Sequence, residues 1–340
     1  MPAEWEAHAA TWLAWPHKRS DWPGKFAPVP WVCTEIVRAL SRHEVVNLIV
    51  RGPKMQSRAD KMLADTGTEM SRVKFWTCAT DRSWMRDSGP IFVVNDRGER
   101  TVLDWRFNGW AKYDDWKKDD LVPGFVATEL GFPRIQPQHG SWRIVLEGGS
   151  IDVNGQGLLL TTEECLLSQT QERNPPMNRG DYERVFDEYL GVKKVLWLNR
   201  GILGDDTHGH IDDLARFVRP RTILAVEEKD STHPNYEPLQ ENLERLRGMT
   251  DLDGSKFEIV TLPMPKPLAF DGQVLPASYA NFYIANGTVI VPTFNDPSDR
   301  TALGTLAALF PDREVVGIHC VDLVFGLGTL HCMTQQEPAG

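Results

Sequence analysis

Short β-prone runs recur from one end of the chain to the other, with helical stretches between some of them, and this interleaving restricts the fold more than any other feature. Strands are expected at residues 11–14, 45–50, 91–94, 158–161, 195–198, 222–226, 257–260, 282–285 and 289–291. Apolar residues recur at three- and four-residue intervals in 31–42, 182–190, 239–247 and 298–309, the period of a helix with one buried face. Asn286-Gly287 separates two β-prone runs, which predicts a tight two-residue hairpin turn with positive φ. The stretch 151–160, IDVNGQGLLL, reads as a second hairpin. Hairpins mixed with helices give an α/β chain and argue against a doubly wound parallel sheet, in which strands and helices would alternate strictly. No repeat is visible in residue identity, and no low-complexity linker divides the 340 residues, so a single domain spanning 1–340 is expected. The turn-rich stretches 110–120 and 171–180 read as surface loops.

Charge narrows the partners. Forty-seven acidic residues against 37 basic ones give a net charge of −10, which repels nucleic acid and anionic membrane surfaces but not a small cation. No apolar run approaches the roughly 18 residues of a membrane span, and no secretory segment is recognisable, so a cytoplasmic protein is expected. The five cysteines form an odd set with no CxxC spacing, which predicts reduced thiols. Cys33, Cys78, Cys165 and Cys320 are expected to fill core space, as free cysteines commonly do.

Cys332 stands apart, in G-L-G-T-L-H-C-M-T-Q-Q-E-P at 326–338. Small residues before it allow ligand and backbone to approach closely. A free thiol is mostly protonated at neutral pH, so catalysis would require a nearby positive charge, which a guanidinium substrate itself supplies. A buried structural cysteine is the commoner reading of such a residue taken alone.

Three further clusters carry polar chemistry. In G-D-D-T-H-G-H-I-D-D, His208, His210 and Asp212 fall at intervals of two; if extended, they share one face and suit acid-base work or, alternatively, a zinc site. In D-R-S-W-M-R-D-S-G-P, Asp87 sits in a turn-prone loop before a strand, with Trp84 available as an apolar wall; taken singly, Asp87 is as readily a turn former or a neighbour of Arg86. Paired carboxylates are what a planar, five-donor guanidinium requires. In L-E-G-G-S-I-D, Glu147 follows an apolar run and, if buried, needs an imidazole or a cation as partner. Phosphate-loop, nucleophile-elbow and H-E-x-x-H templates are missing.

Together these blocks, with P-A-E-W-E-A-H-A-A-T-W-L-A-W-P at the start and L-P-A-S-Y-A-N-F-Y-I near residue 280, resemble the agmatine deiminase and bacterial peptidylarginine deiminase family of guanidino-group-modifying enzymes. The resemblance implies a pentein, an α/β propeller of five ββαβ-type modules about a pseudo-fivefold axis. It implies Cys332 as nucleophile, His210 as general acid/base, Asp87 and Asp212 as guanidinium-binding carboxylates, Glu147 as partner of the histidine and Trp84 as the aromatic wall, with no metal and no cofactor. The implied partner is a small cationic guanidino substrate, agmatine ahead of arginine or peptidylarginine; a homo-oligomer stays open. A metal-dependent amidohydrolase built on His208, His210 and Asp212 is the rival from another class. This chain has G-L-G-T-L-H-C and T-H-G-H where agmatine deiminases often carry G-G-G-N-I-H-C and T-D-G-H or T-N-G-H, and these differences flank the catalytic positions.

Overall fold

The computed structural model describes residues 1–340. One strand pattern occurs five times: an antiparallel pair followed by a parallel neighbour. Ile91–Val94 pairs antiparallel with Arg100–Leu103, which pairs parallel with Arg134–Ile135. The same order is built from Asp152–Val153, Leu158–Thr162 and Lys194–Leu198. It recurs in Ala215–Arg219, Thr222–Glu227 and Glu258–Pro263, and again in Tyr283–Ile284, Thr288–Thr293 and Glu314–His319. In the fifth sheet the two chain ends meet: Gln335–Pro338 runs antiparallel to His8–Ala14, which is followed in parallel by Val45–Val50 and Val73–Thr77.

Each parallel step is bridged by a helix, as a parallel crossover requires. These are Val29–Ser41, Pro53–Asp65, Val122–Leu130, Arg179–Leu190, Tyr236–Gly248 and Ser298–Leu309. Local sequence sets their ends. Asn178 and Asp181 form a reciprocal capping box at the start of Arg179–Leu190, and Gly191, in the left-handed region, ends it. The largest apolar cluster runs from Leu13 to Met333, while residues of 91–103 and 122–153 pack in two smaller clusters.

The two expected hairpins form, but the first turns differently. Neither Asn286 nor Gly287 has positive φ. Gly287 is required instead by contact, because a Cβ there would lie 2.2 Å from His43 Nδ1. The Asn286 side chain accepts from the His8 N–H at 2.8 Å and donates to the His8 carbonyl at 2.9 Å, which ties the hairpin to the neighbouring sheet.

Candidate active site

A cavity of about 330 Å³ opens between the loops and is lined by Trp84, Asp87, Trp110, Arg82, Leu327 and Cys332, among others. Cys332 lies in the short helix Leu330–Met333, entered through Leu327 in the left-handed region. Gly328 must be small: a Cβ there would stand 2.9 Å from the Trp84 ring and 3.1 Å from Cys332 Sγ. Asn281 Nδ2 donates to the sulfur at 3.2 Å, and Asp212 Oδ2 is 3.8 Å away. Burial and the charges of Asp212, Asp213 and Asp87 push the thiol well above its ordinary range.

Asp87 is carried by the short helix Met85–Ser88. Trp110 Nε1 donates to Oδ2 at 2.9 Å, and the Gly149 N–H donates to Oδ1 at 3.1 Å. Burial raises the carboxyl to about 6, with His210 opposing and Asp212 and Glu147 adding to the rise. Arg86 turns away from it to pair with Glu4 at 3.1 Å and to donate to Gln336.

His210 Nδ1 stands 3.7 Å from Asp87 Oδ1 and 4.0 Å from Asp212 Oδ1. Burial pulls this imidazole down, but Asp87, Cys165 and Asp212 outweigh burial and hold it well above the usual value. The segment is not extended as the spacing predicts. His208 takes φ +65° and Ile211–Asp213 is a 3-10 turn, so the His208 ring leaves the site for Ser168, 3.1 Å away, and Glu164. His210 and Asp212 still meet through the turn, and the set of His208, His210 and Asp212 expected for a metal does not assemble. Gly149 sits beneath the charged groups: a Cβ added there would lie 2.6 Å from His210 Nδ1, 2.7 Å from Asp87 Oδ1 and 3.1 Å from Asp212 Oδ2.

Glu147 is fully buried and its cationic partner is Arg173, whose Nε lies 3.1 Å from Oε1 with both side chains 0% exposed. Its Oε2 and His210 Nε2 have no hydrogen-bond partner, and these two side chains, with Cys165, bring their donor atoms within 4.8 Å of one another. Trp84 is buried, donates from Nε1 to Asp21 at 3.2 Å and stacks on Trp22 at 5.3 Å.

Several site groups escape the sequence reading. Arg173 and Trp110 lie in stretches expected as surface loops, yet their side chains are buried and hold Glu147 and Asp87. His331 bridges two carboxylates, Asp212 Oδ2 at 2.7 Å and Glu4 Oε2 at 2.8 Å. Glu4 also binds Arg216 at 2.7 Å, so the N-terminal segment braces the wall behind Cys332. With its position beside Cys332, His331 stood in plain view; Glu4 carried no local signal. Of the four cysteines expected in the core, Cys33 and Cys320 are buried there, Cys78 is half-exposed and Cys165 faces His210 rather than filling space alone.

Residues 1–338 match the Porphyromonas-type peptidyl-arginine deiminase family. An agmatine deiminase of Medicago truncatula is 38% identical, covering 100% of this chain and 96% of the relative. A solved agmatine deiminase of Enterococcus faecalis superposes with a TM-score of 0.90 at 34% identity, covering 100% of this chain and 95% of that one. A cysteine-to-serine variant of C. jejuni agmatine deiminase with substrate bound gives a TM-score of 0.88 at 31% identity, covering 100% and 96%. With the match running nearly end to end and the solved relatives sharing the α/β fold, the chain belongs to the Porphyromonas-type peptidyl-arginine deiminase family.

Proposed function

We propose that this protein hydrolyses the guanidino group of agmatine to a ureido group and ammonia, through a covalent adduct on Cys332. The observation that carries the reading is the convergence of one thiol, one imidazole and two carboxylates beside a single cavity, of which Cys332 and Asp87 form part of the lining. Asp87 and Asp212 each offer carboxylate oxygens to the cation, with Trp84 flanking it, and hold its central carbon before Cys332. In the free enzyme three carboxylates oppose the thiolate. A bound guanidinium neutralises that field, so substrate activates its own nucleophile.

The Cys332 thiol loses its proton to water as the cation binds, and the sulfur forms a bond to the guanidinium carbon. His210, holding a proton because of Asp87, gives one to the departing nitrogen, and the C–N bond breaks to release ammonia. The product is a thiouronium-type adduct. His210 then takes a proton from water, oxygen adds to the carbon, and the C–S bond breaks to return the thiol and the ureido amine. Glu147, locked by Arg173, backs His210. The naming of relatives as agmatine deiminases favours agmatine over arginine or peptidylarginine.

The fivefold recurrence of one strand pattern supports a five-module pentein propeller, read as a single domain over 1–340. Five free cysteines fit a reducing cytoplasm, and no helix is long and apolar enough to cross a membrane. The net charge of −10 opposes nucleic acid as partner, and a homo-oligomer is compatible with a site held within one chain. The test is a panel of agmatine, arginine and a blocked arginyl peptide assayed for ammonia and ureido product. Turnover is expected for agmatine; turnover of the peptide alone would reassign the substrate, and none for any of the three would remove the reaction.

A further inference from the structure

We infer that Glu147, Cys165 and His210 form an inhibitory site for a thiophilic divalent cation, with Zn²⁺ the best match, behind the catalytic cavity. The donor set is one thiol, one imidazole and one carboxylate, all buried, with donor atoms within 4.8 Å of one another. This mixture is what borderline-soft Zn²⁺ takes, whereas Mg²⁺ and Ca²⁺ prefer oxygen alone. In this cluster His210 Nε2 and Glu147 Oε2 are buried without a hydrogen-bond partner. Such atoms are costly to leave unsatisfied, and both belong to residues of this cluster. Ligands on tetrahedral zinc at about 2.0–2.3 Å stand less than about 4 Å apart, so the side chains close by about 1 Å around the ion.

Position and charge agree with this assignment. The Thr162 side chain accepts from the Cys165 N–H at 3.0 Å and caps the helix Glu163–Leu167, which fixes the thiol against His210. Arg173 holds only Oε1 of Glu147, leaving Oε2 free to ligate. Asp87, which lines the cavity, lies 3.7 Å from the His210 ring and meets an entering cation first.

The inhibitory consequence rests on the His210 role proposed above; the binding site does not. A metal on Nε2 leaves a neutral ring whose remaining Nδ1 proton is not released near neutral pH. Such a ring cannot take a proton from water. This is the reverse of the rival metal-dependent enzyme, since chelation here restores activity.

Equilibrium dialysis of the full chain carrying Cys332→Ser, which removes the nucleophile as a ligand, is expected to give one Zn²⁺ per chain. Co²⁺ in its place should show a thiolate-to-metal charge-transfer band. Adding Cys165→Ser should weaken Zn²⁺ at least about 100-fold and abolish the band; Cys165→Ala serves if serine in that apolar position unfolds the chain. Unchanged uptake without Cys165, loss of uptake from Cys332→Ser alone, or no uptake would each overturn the site. With the unsubstituted protein, Zn²⁺ should suppress ammonia release and a chelator restore it. Binding that needs Cys165 but leaves turnover intact would overturn the inhibition and, separately, the role given to His210.

Discussion

Replacing Gly149 with alanine adds one methyl group at the point where the charged groups of the site converge. Gly149 has an ordinary backbone conformation, so the substitution strains no φ angle and acts through space alone. The new Cβ would fall short of an ordinary 3.4 Å contact by about 0.8 Å at His210 Nδ1 and about 0.7 Å at Asp87 Oδ1, and would also crowd Asp212 Oδ2 at 3.1 Å. Neither His210 nor Asp87 can give way cheaply. Asp87 is held by Trp110 and the Gly149 amide, and His210 is fully packed. Overpacking of this kind costs about 1–3 kcal/mol, within the roughly 5–15 kcal/mol that stabilises a domain, so the chain should still fold. Misplacement near 1 Å costs a catalytic constellation about 10²-fold, and here an acid/base and a guanidinium anchor shift together. The expected result is a kcat/KM for agmatine lowered about 10²- to 10³-fold, measured by ammonia release on a variant shown folded by thermal melting. Gly304→Ala is the control, because nothing lies within 4 Å of a Cβ in its helix and its φ is ordinary; it should stabilise by about 0.5–1 kcal/mol and leave turnover unchanged. A folded Gly149→Ala protein that loses less than about tenfold would refute the claim that His210 and Asp87 must be held tightly against this glycine for turnover.

Acidification should reduce kcat/KM for agmatine about tenfold per pH unit below about 6, as Asp87 takes a proton and ceases to hold the cation; a profile flat from pH 7 to 5 contradicts this. The same carboxyl has a folded value above its ordinary 3.8, so between about 4 and 6 the folded state holds more protons than the unfolded one. Its contribution to stability therefore falls as pH rises through that window, which denaturant titrations of the unsubstituted protein and Asp87→Asn can compare. Arg173→Met should cost about 3–5 kcal/mol in urea unfolding, because it leaves the fully buried Glu147 without its cation; a loss under about 1 kcal/mol would contradict the pair. Glu4→Gln should lower kcat with a smaller effect on KM, because Glu4 touches no part of the cavity and acts through His331 on Asp212.

Local patterns made some elements readable and hid others. The helix at 298–309 and the strand at 45–50 lie where the sequence placed them, the first through a helical period that buries Ala302 and Leu306 and the second through an apolar run buried on both faces. The strand Gln335–Pro338 was unreadable: four mostly polar residues form it because they pair with His8–Ala14 more than 300 residues away. The fivefold strand pattern was hidden too, because what recurs is pairing geometry and not residue identity. Asp87, His210, Asp212 and Cys332 could be nominated from motifs, although His210 and Asp212 meet through a tight turn and not along a strand. Glu4, Arg173 and Trp110 could not, because a buried polar partner is chosen by three-dimensional proximity and leaves no trace in its own neighbours.

Sulfur attack on the guanidinium carbon can be caught directly. Agmatine turned over by the unsubstituted protein and quenched rapidly in acid should yield a fraction of chains heavier by the mass of substrate less ammonia, with the increment on the peptide that contains Cys332. Ammonia release at the normal rate by Cys332→Ala, or an increment borne by any other residue, would contradict the account.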